Sequence, residues 1–335
     1  MCKIIVLTPV KNEDWILEQF LTVTSMFADH IIIADQNSTD NSRQICSRFP
    51  KVHLIENGNQ DFCEDDRQIL LIETARKLYP GQKRILLSLD ADEIFSANSL
   101  HFRHTWNRIR NLPLGTSLYF ERSDLLCDPE KCIRGRNHNL YFPLGYVDDG
   151  MAHQPSIIHS RRIPHNPDGI NEYIDEIKIV HFIFSRMKVR HAKIRYYTVL
   201  ENIKKTNRFY IRRYAYNRAN VDNNMHPERI EATPSEWLKG WTERHINLQK
   251  FHEPDFSWQD FEVLKLFKNY GYRRFYLDDI WDFDWESCTR AAENKGIDVS
   301  SAPISKPNSL MVSLLKSVDA LYILSRKLRF KNVIS

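Results

Sequence analysis

The stretch Arg84-Ile85-Leu86-Leu87-Ser88-Leu89-Asp90-Ala91-Asp92-Glu93 decides how this chain is read. It begins as a mainly apolar run of strand length and stops at an acidic turn. Residues i and i+2 at a strand end project to the same side, so Asp90 and Asp92 are expected to point together. Two carboxylates held side by side repel unless a cation or hydrogen-bond donors meet them. Mg²⁺ or Mn²⁺ suits such a pair, because hard cations take oxygen ligands and keep positions for phosphate oxygens. A nucleoside diphosphate is a poor leaving group unless its charge is offset, and a metal does that. An Asp-x-Asp is common on surfaces; its position after a buried strand gives it weight.

Working outward, the first half of the chain alternates strands and helices. Ile4–Val10, His30–Ala34 and Val52–Ile55 are short apolar runs followed by polar turns. Asp14–Phe27 and Glu64–Leu78 carry apolar residues at helical recurrence, and Ser38 or Asp40 can cap a helix reaching about Arg48. Fully apolar strands alternating with helices predict an α/β fold with a mostly parallel sheet covered on both faces. Ligands of such sheets sit at the carboxyl ends of the strands. The polar clusters Lys11–Asp14, Asp35–Asp40 and Asp90–Glu93 fall there.

The 47 basic and 43 acidic residues nearly balance, so no nucleic-acid partner is implied. Basic residues gather locally between Arg186 and Arg218. Ile4–Val10 is too short for a targeting segment and no run of 18 apolar residues occurs, so a cytoplasmic chain without spanning helices is expected. Six scattered cysteines in such a chain are expected to be reduced thiols.

Beyond residue 120 the pattern loosens. Ser117–Glu121, Asn139–Phe142, Ser156–Arg161 and Ile177–Phe184 read as strands. Lys193–Arg218, Ser235–Phe251 and Trp258–Tyr270 read as helices. Pro303–Pro307 is a linker before a final amphipathic segment from Ser309 to about Lys331. The expected division is a catalytic domain over 1–225, a helical extension over 226–302, and a linker with an amphipathic helix over 303–335.

Three segments carry a resemblance. Thr8-Pro9-Val10-Lys11-Asn12-Glu13, the run Ile31 to Ser42 around Ala34-Asp35-Gln36-Asn37, and Leu87-Ser88-Leu89-Asp90-Ala91-Asp92-Glu93 resemble, in order and spacing, the opening, second-strand and DXD segments of family 2 glycosyltransferases of the GT-A fold. The resemblance covers roughly the first 95 residues. It implies that Thr8, Pro9, Asn12 and Glu13 lie along the nucleotide and that Asp35 reads the base. It further implies that Asp90 contacts the ribose or the metal, with Ala91 beside it, and that Asp92 ligates the metal. Arg67 stands where related enzymes carry an arginine or asparagine near the nucleotide-sugar; an exposed helix charge is the other reading. His181, at the end of an apolar strand, resembles a further metal ligand, although a lone strand histidine is also often a packed core group. Arg190 and Lys193 resemble the basic residues that face the diphosphate, or are a solvated helix face.

An inverting transfer needs a carboxylate to deprotonate the acceptor hydroxyl. Asp148, Asp149, Glu172 and Asp175 lie between the acidic turn and His181, and Glu172 and Asp149 are the first choices. The place where related sequences show a His-Glu pair reads His165-Asn166 here. The expected reaction is metal-dependent sugar transfer from a nucleotide-sugar, a UDP-sugar first, to a glycan or lipid-linked acceptor in polysaccharide or glycan assembly. Two rivals stand beside it: a nucleotidyltransferase, which would carry a Gly-rich basic loop where Thr8–Glu13 has none, and a non-catalytic nucleotide- or carbohydrate-binding protein. The apolar stripe Leu310 to Leu324 with its basic end fits an anionic membrane surface, or equally a helix packed on its own domain or on a second copy in a homo-oligomer.

Overall fold

A computed structural model of the chain describes residues 2–57, 64–135, 140–154, 161–204, 230–249, 251–276, 278–299 and 304–308, with five single positions between 310 and 321. They fall into two compact units. The first joins 1–185 to 229–252, and the second joins 186–228 to 253–335.

The first unit is built on one sheet. Strands β1 (Lys3–Val10), β2 (His30–Asp35), β3 (Val52–Glu56) and β4 (Arg84–Ser88) run parallel in the order β4-β1-β2-β3. Their apolar side chains alternate between two cores. Ile4, Val6, Ile31 and Ile33 pack with Leu17, Phe20 and Leu21 of α1 (Leu17–Thr24) and Ile45 of α2 (Ser42–Ser47). Ile5, Leu7, Ile32 and Leu86 pack with Leu71, Ile72 and Ala75 of α3 (Glu64–Leu78) on the other face. Burial on both faces is why the middles of β1, β2 and β4 are apolar. Each fully buried Leu, Ile or Phe contributes about 1.5–3 kcal/mol relative to exposure. The α/β class with a parallel sheet centre is as the sequence predicts.

The sheet continues beyond β4 through strands of mixed direction. After β5 (Glu93–Phe95) and α4 (Arg103–Asn111) come β6 (Ser117–Leu125), β7 (Lys131–Arg134), β8 (Tyr141–Val147), β9 (Asn171–His181) and β10 (Ile230–Ala232). β8 lies antiparallel between β4 and β6, and β7 and β10 extend the edge beyond β6. Gly145 of β8 is required there: a Cβ would lie 2.8 Å from Leu87 and 2.9 Å from Leu118. β9 pairs with β6 in parallel and with β5 antiparallel, which sets His181 opposite both Glu93 and Asp124.

Several expectations are corrected. The strand Ser117–Glu121 runs on to Leu125, and α4, β5, β7 and β10 were not foreseen. The helix expected over Ser235–Phe251 is a 3₁₀ turn (Ser235–Trp237) and a five-residue helix α6 (Lys239–Glu243). His245 then adopts φ 61 and Ile246 donates back to the Trp241 carbonyl, which ends the helix. Trp241 is buried, with its indole N–H on the Phe95 carbonyl at 2.8 Å, so this piece belongs to the first unit. The expected strand Ser156–Arg161 lies, except for Arg161, outside the described residues, as does 205–218 of the expected basic helix.

The second unit contains α5 (Met187–Lys204), α7 (Trp258–Tyr270) and α8 (Trp285–Asn294). Val199 of α5 packs with Phe261, Leu264, Phe267, Trp281 and Trp285. That aromatic core is why the division falls after Ser185 and not at 225. Ser257 and Asp260 form a capping box at the start of α7. Of the amphipathic C-terminal segment, the described positions are helical, and Leu310, Leu314 and Leu321 are exposed. Among the described residues no helix is long and apolar enough to cross a membrane.

Candidate active site

The site is assembled at the carboxyl ends of β1, β2 and β4. Asp90, Ala91 and Asp92 form the link between β4 and β5. The link is tied tightly: Glu93 donates its N–H to the Asp90 carbonyl at 3.0 Å, and Asp90 donates its own to Glu93 Oε2 at 3.0 Å. Ala91 is buried, while Asp90 and Asp92 keep 35% and 22% of their side chains exposed. The two carboxylates therefore stand at a wall open to solvent.

His181 comes to this wall because β9 lies beside β5, with Phe182 N–H donating to the Asp92 carbonyl at 2.9 Å. Its Nε2 is 3.5 Å from Asp92 Oδ2, and its Nδ1 is 2.7 Å from Asp124 Oδ1. Burial alone would depress the imidazole pKa, but Asp92 and Asp124 raise it to about 9. The ring thus lies between two carboxylates. Asp124 was not singled out in the sequence. It lies one residue before the end of β6, and the alternation Arg122, Asp124 along a longer strand was the signal available for it.

Three further charged residues complete the cluster. Glu93 is fully buried and accepts from Arg122 Nη1 at 2.8 Å and Arg162 Nη1 at 2.5 Å. Burial would raise its pKa, yet Arg162 and Arg122 hold it down at about 2. The other arm of Arg162 reaches Asp90 Oδ2 at 2.5 Å. Nothing in the sequence pattern pointed to Arg162, which lies in an irregular segment.

The loops after β1 and β2 form the neighbouring wall. Asp35 closes β2 almost completely buried. Its Oδ2 accepts from Arg43 at 3.0 Å and from the Ser38 N–H at 3.2 Å. Its Oδ1 is buried without a hydrogen-bond partner among the described residues, as is Thr8 Oγ1 on β1. A buried acceptor without a donor is costly, so such atoms mark where a ligand group can be received. Pro9, half-buried, pairs with Ala34 beside them.

Asn12 takes φ 57, and its carboxamide oxygen accepts from the Thr39 N–H at 2.7 Å. It thereby locks one loop to the other. Glu13 accepts the Trp15 indole N–H at 2.6 Å and donates its own N–H to Ser42 Oγ. Both residues are at the wall, with side chains engaged in shaping it. Asp40 is a loop residue too, accepting from Asp14 and Ser42 N–H groups. Arg67 lies half-buried in the first turn of α3, next to Gln68, which accepts from Ser88 Oγ at 3.4 Å at the end of β4. Arg190 and Lys193 are on α5 in the second unit.

The two candidate bases, Glu172 and Asp149, lie apart from His181 and Asp90. Glu172 pairs with Leu118 at the start of β9, six β6 residues from the position opposite His181, or about 20 Å along the strand. It is bonded there to Arg108. Asp149 follows β8 beyond Val147, which pairs with Ile85 at the amino end of β4. That is the end opposite Asp90, and Asp149 accepts there from the Met151 N–H at 2.9 Å. Antiparallel β8 carries Asp149 to the amino end of β4, and the long parallel run of β9 separates Glu172 from His181.

Among the described residues no three His, Cys, Asp or Glu side chains form a ready metal cage. The donor pair Asp92 and His181 nevertheless fits one ion. Two ligands each about 2.1–2.2 Å from a common ion lie about 3.0–3.6 Å apart between octahedral and tetrahedral angles, and Nε2 to Oδ2 is 3.5 Å. The Nδ1 contact to Asp124 is the carboxylate–histidine arrangement that turns Nε2 toward a metal.

A parallel α/β sheet that collects acidic and basic side chains at the carboxyl ends of its strands has the layout of a nucleotide-using enzyme. Residues 5–101 match the model of glycosyl transferase family 2. No curated protein matches the chain. Among solved structures, glucosyl-3-phosphoglycerate synthase from Mycobacterium tuberculosis, bound to Mn²⁺, UDP and glucosyl-3-phosphoglycerate, is 17% identical at a TM-score of 0.21, over 28% of this chain and 34% of that one. The chain thus spans about a third of the length of that enzyme. A 4-diphosphocytidyl-2C-methyl-D-erythritol synthase is 17% identical at 0.27, over 44% and 72% of the two chains. A UDP-glucose pyrophosphorylase with UDP-glucose bound is 11% identical at 0.25, over 55% and 78%. Likeness at this level distinguishes no activity.

Proposed function

We propose that the protein transfers a sugar from a nucleoside diphosphate sugar to an acceptor hydroxyl, with a divalent cation held by Asp92 and His181. The observation that carries this reading is the 3.5 Å approach of His181 Nε2 to Asp92 Oδ2, at the end of β4 in a family 2 segment. An imidazole ligand favours Mn²⁺ over Mg²⁺, which prefers oxygen. The ion supplies charge that offsets the departing diphosphate. Asp35 Oδ1 and Thr8 Oγ1 receive the nucleoside. A carboxylate acceptor matches the imide N–H of uracil, which cytosine lacks, and this favours a UDP-sugar. Arg67 borders the donor. Inversion and a role in polysaccharide or glycan assembly rest on the family resemblance, as does a glycan or lipid-linked acceptor. The exposed Leu310, Leu314 and Leu321 would carry a peripheral membrane contact.

Hydrolysis of a panel of nucleotide-sugars with Mn²⁺, in the wild type and in His181→Ala, tests the reading. Mn²⁺-dependent release of UDP that falls in the variant supports it. Release that is metal-independent, or unchanged in the variant, overturns it.

A further inference from the structure

Asp90 is a carboxylate of the acidic pair, yet its Oδ2 is taken by a guanidinium. Arg162 forks between Asp90 and Glu93, and Arg122 supplies the second cation to Glu93. Two anions and two cations therefore balance beside the place where Asp92 and His181 meet. A divalent ion arriving alone finds Asp90 already held by Arg162 and gains only Asp92 of the acidic pair. The same ion arriving with a diphosphate brings the anion that a displaced guanidinium can take. Guanidinium groups bind carboxylate and phosphate with the same planar fork, so the exchange conserves the kind of contact Arg162 makes.

Resting on the functional reading above, we propose that Arg162 is a positioning residue that stands in for the cation at Asp90 and makes metal and nucleotide binding interdependent. It leaves Asp90 when metal and diphosphate enter together. Glu93 does not lose its charge balance in that exchange, because Arg122 stays at 2.8 Å. The coupling is reciprocal: UDP strengthens Mn²⁺ binding by the factor by which Mn²⁺ strengthens UDP binding.

The test measures Mn²⁺ binding by the paramagnetic resonance of the free ion, with and without UDP, in the wild type, Arg162→Gln and Arg162→Lys. In Arg162→Gln, Mn²⁺ alone should bind about fivefold or more tightly, and the enhancement by UDP should shrink by a similar factor. Arg162→Lys keeps the charge but loses the fork, so its coupling should fall between the two. It also decides the matter if the glutamine variant does not fold. Unchanged Mn²⁺ affinity and unchanged coupling in a folded variant would overturn the proposal while leaving the functional reading intact. A wild type that binds UDP equally with and without Mn²⁺ would overturn both.

Discussion

His181 and Asp124 occupy paired positions of β9 and β6, and their side chains share a 2.7 Å hydrogen bond. The bond uses Nδ1 and leaves Nε2 as the atom that approaches Asp92. Strand register thus settles which ring nitrogen is presented. A ligand's outer partner of this kind typically accounts for 10- to 100-fold in metal affinity. Asp124→Asn should lower Mn²⁺ affinity in the presence of UDP by about that factor, measured calorimetrically, while UDP alone binds as before. Equal Mn²⁺ affinity in the variant would mean that His181 is no ligand.

Asp35→Asn tests the base contact. The substitution removes charge with little change in volume, so the loop geometry should persist. A hydrogen bond to a charged group is worth about 1.5–3 kcal/mol, so UDP should bind about 10- to 100-fold more weakly. CDP, without the imide N–H, should lose much less. A parallel loss for both nucleotides would place Asp35 outside the base pocket.

The amino end of β4 supplies a pH prediction unrelated to the metal. Asp148 has a fully buried side chain between Arg76 and Arg84, at 2.7 and 2.8 Å. Burial would raise its pKa, but hydrogen bonds from Arg76 and Arg84 hold it below the ordinary value of 3.8. Its stabilisation is therefore complete above that unfolded value and is lost as pH falls through the lower folded one. Asp148→Asn should be less stable at neutral pH, by up to about 3 kcal/mol, because Arg84 loses its anion and Arg76 keeps only Glu73. The variant should also lack this component of the acid-induced fall in melting temperature. A melting curve that shifts equally with acid in both proteins would refute the assignment.

Glu172→Gln tests whether Glu172 is the acceptor base. Glu172 lies on the far part of β9 and is half-buried against Arg108. Partly exposed pairs contribute about 0–1 kcal/mol, so stability should change little. Transfer to acceptor should persist at close to the wild-type rate in initial-rate assays. A loss of several orders of magnitude in kcat would restore Glu172 to the chemistry.

The parallel half of the fold and the acidic turn were legible because they depend on local pattern. Apolar runs such as Ile31-Ile32-Ile33 are forced by burial on both faces, and the acidic turn follows directly on one such run, Ile85-Leu86-Leu87. Glu93, Arg122, Asp124 and Arg162 were not found, because their roles come from strand register and long-range ion pairs. Glu93 and Arg162 are 69 residues apart in sequence. Register also decides where the candidate bases lie: sequence order placed Glu172 and Asp149 near His181, while β9 separates Glu172 from it and β8 carries Asp149 to the amino end of β4. The Ser235–Phe251 helix failed because Trp241 is anchored on Phe95, a tertiary contact that periodicity does not report.

The central claim is that Asp92 and His181 hold one divalent ion beside the nucleotide. Anomalous diffraction at the manganese edge, from crystals grown with Mn²⁺ and UDP, tests it most directly. The account predicts one peak within about 2.0–2.3 Å of both His181 Nε2 and an Asp92 carboxylate oxygen, with UDP phosphate oxygens completing the sphere. A peak that misses His181, with its Nε2 still facing Asp92 at hydrogen-bond range, would contradict it.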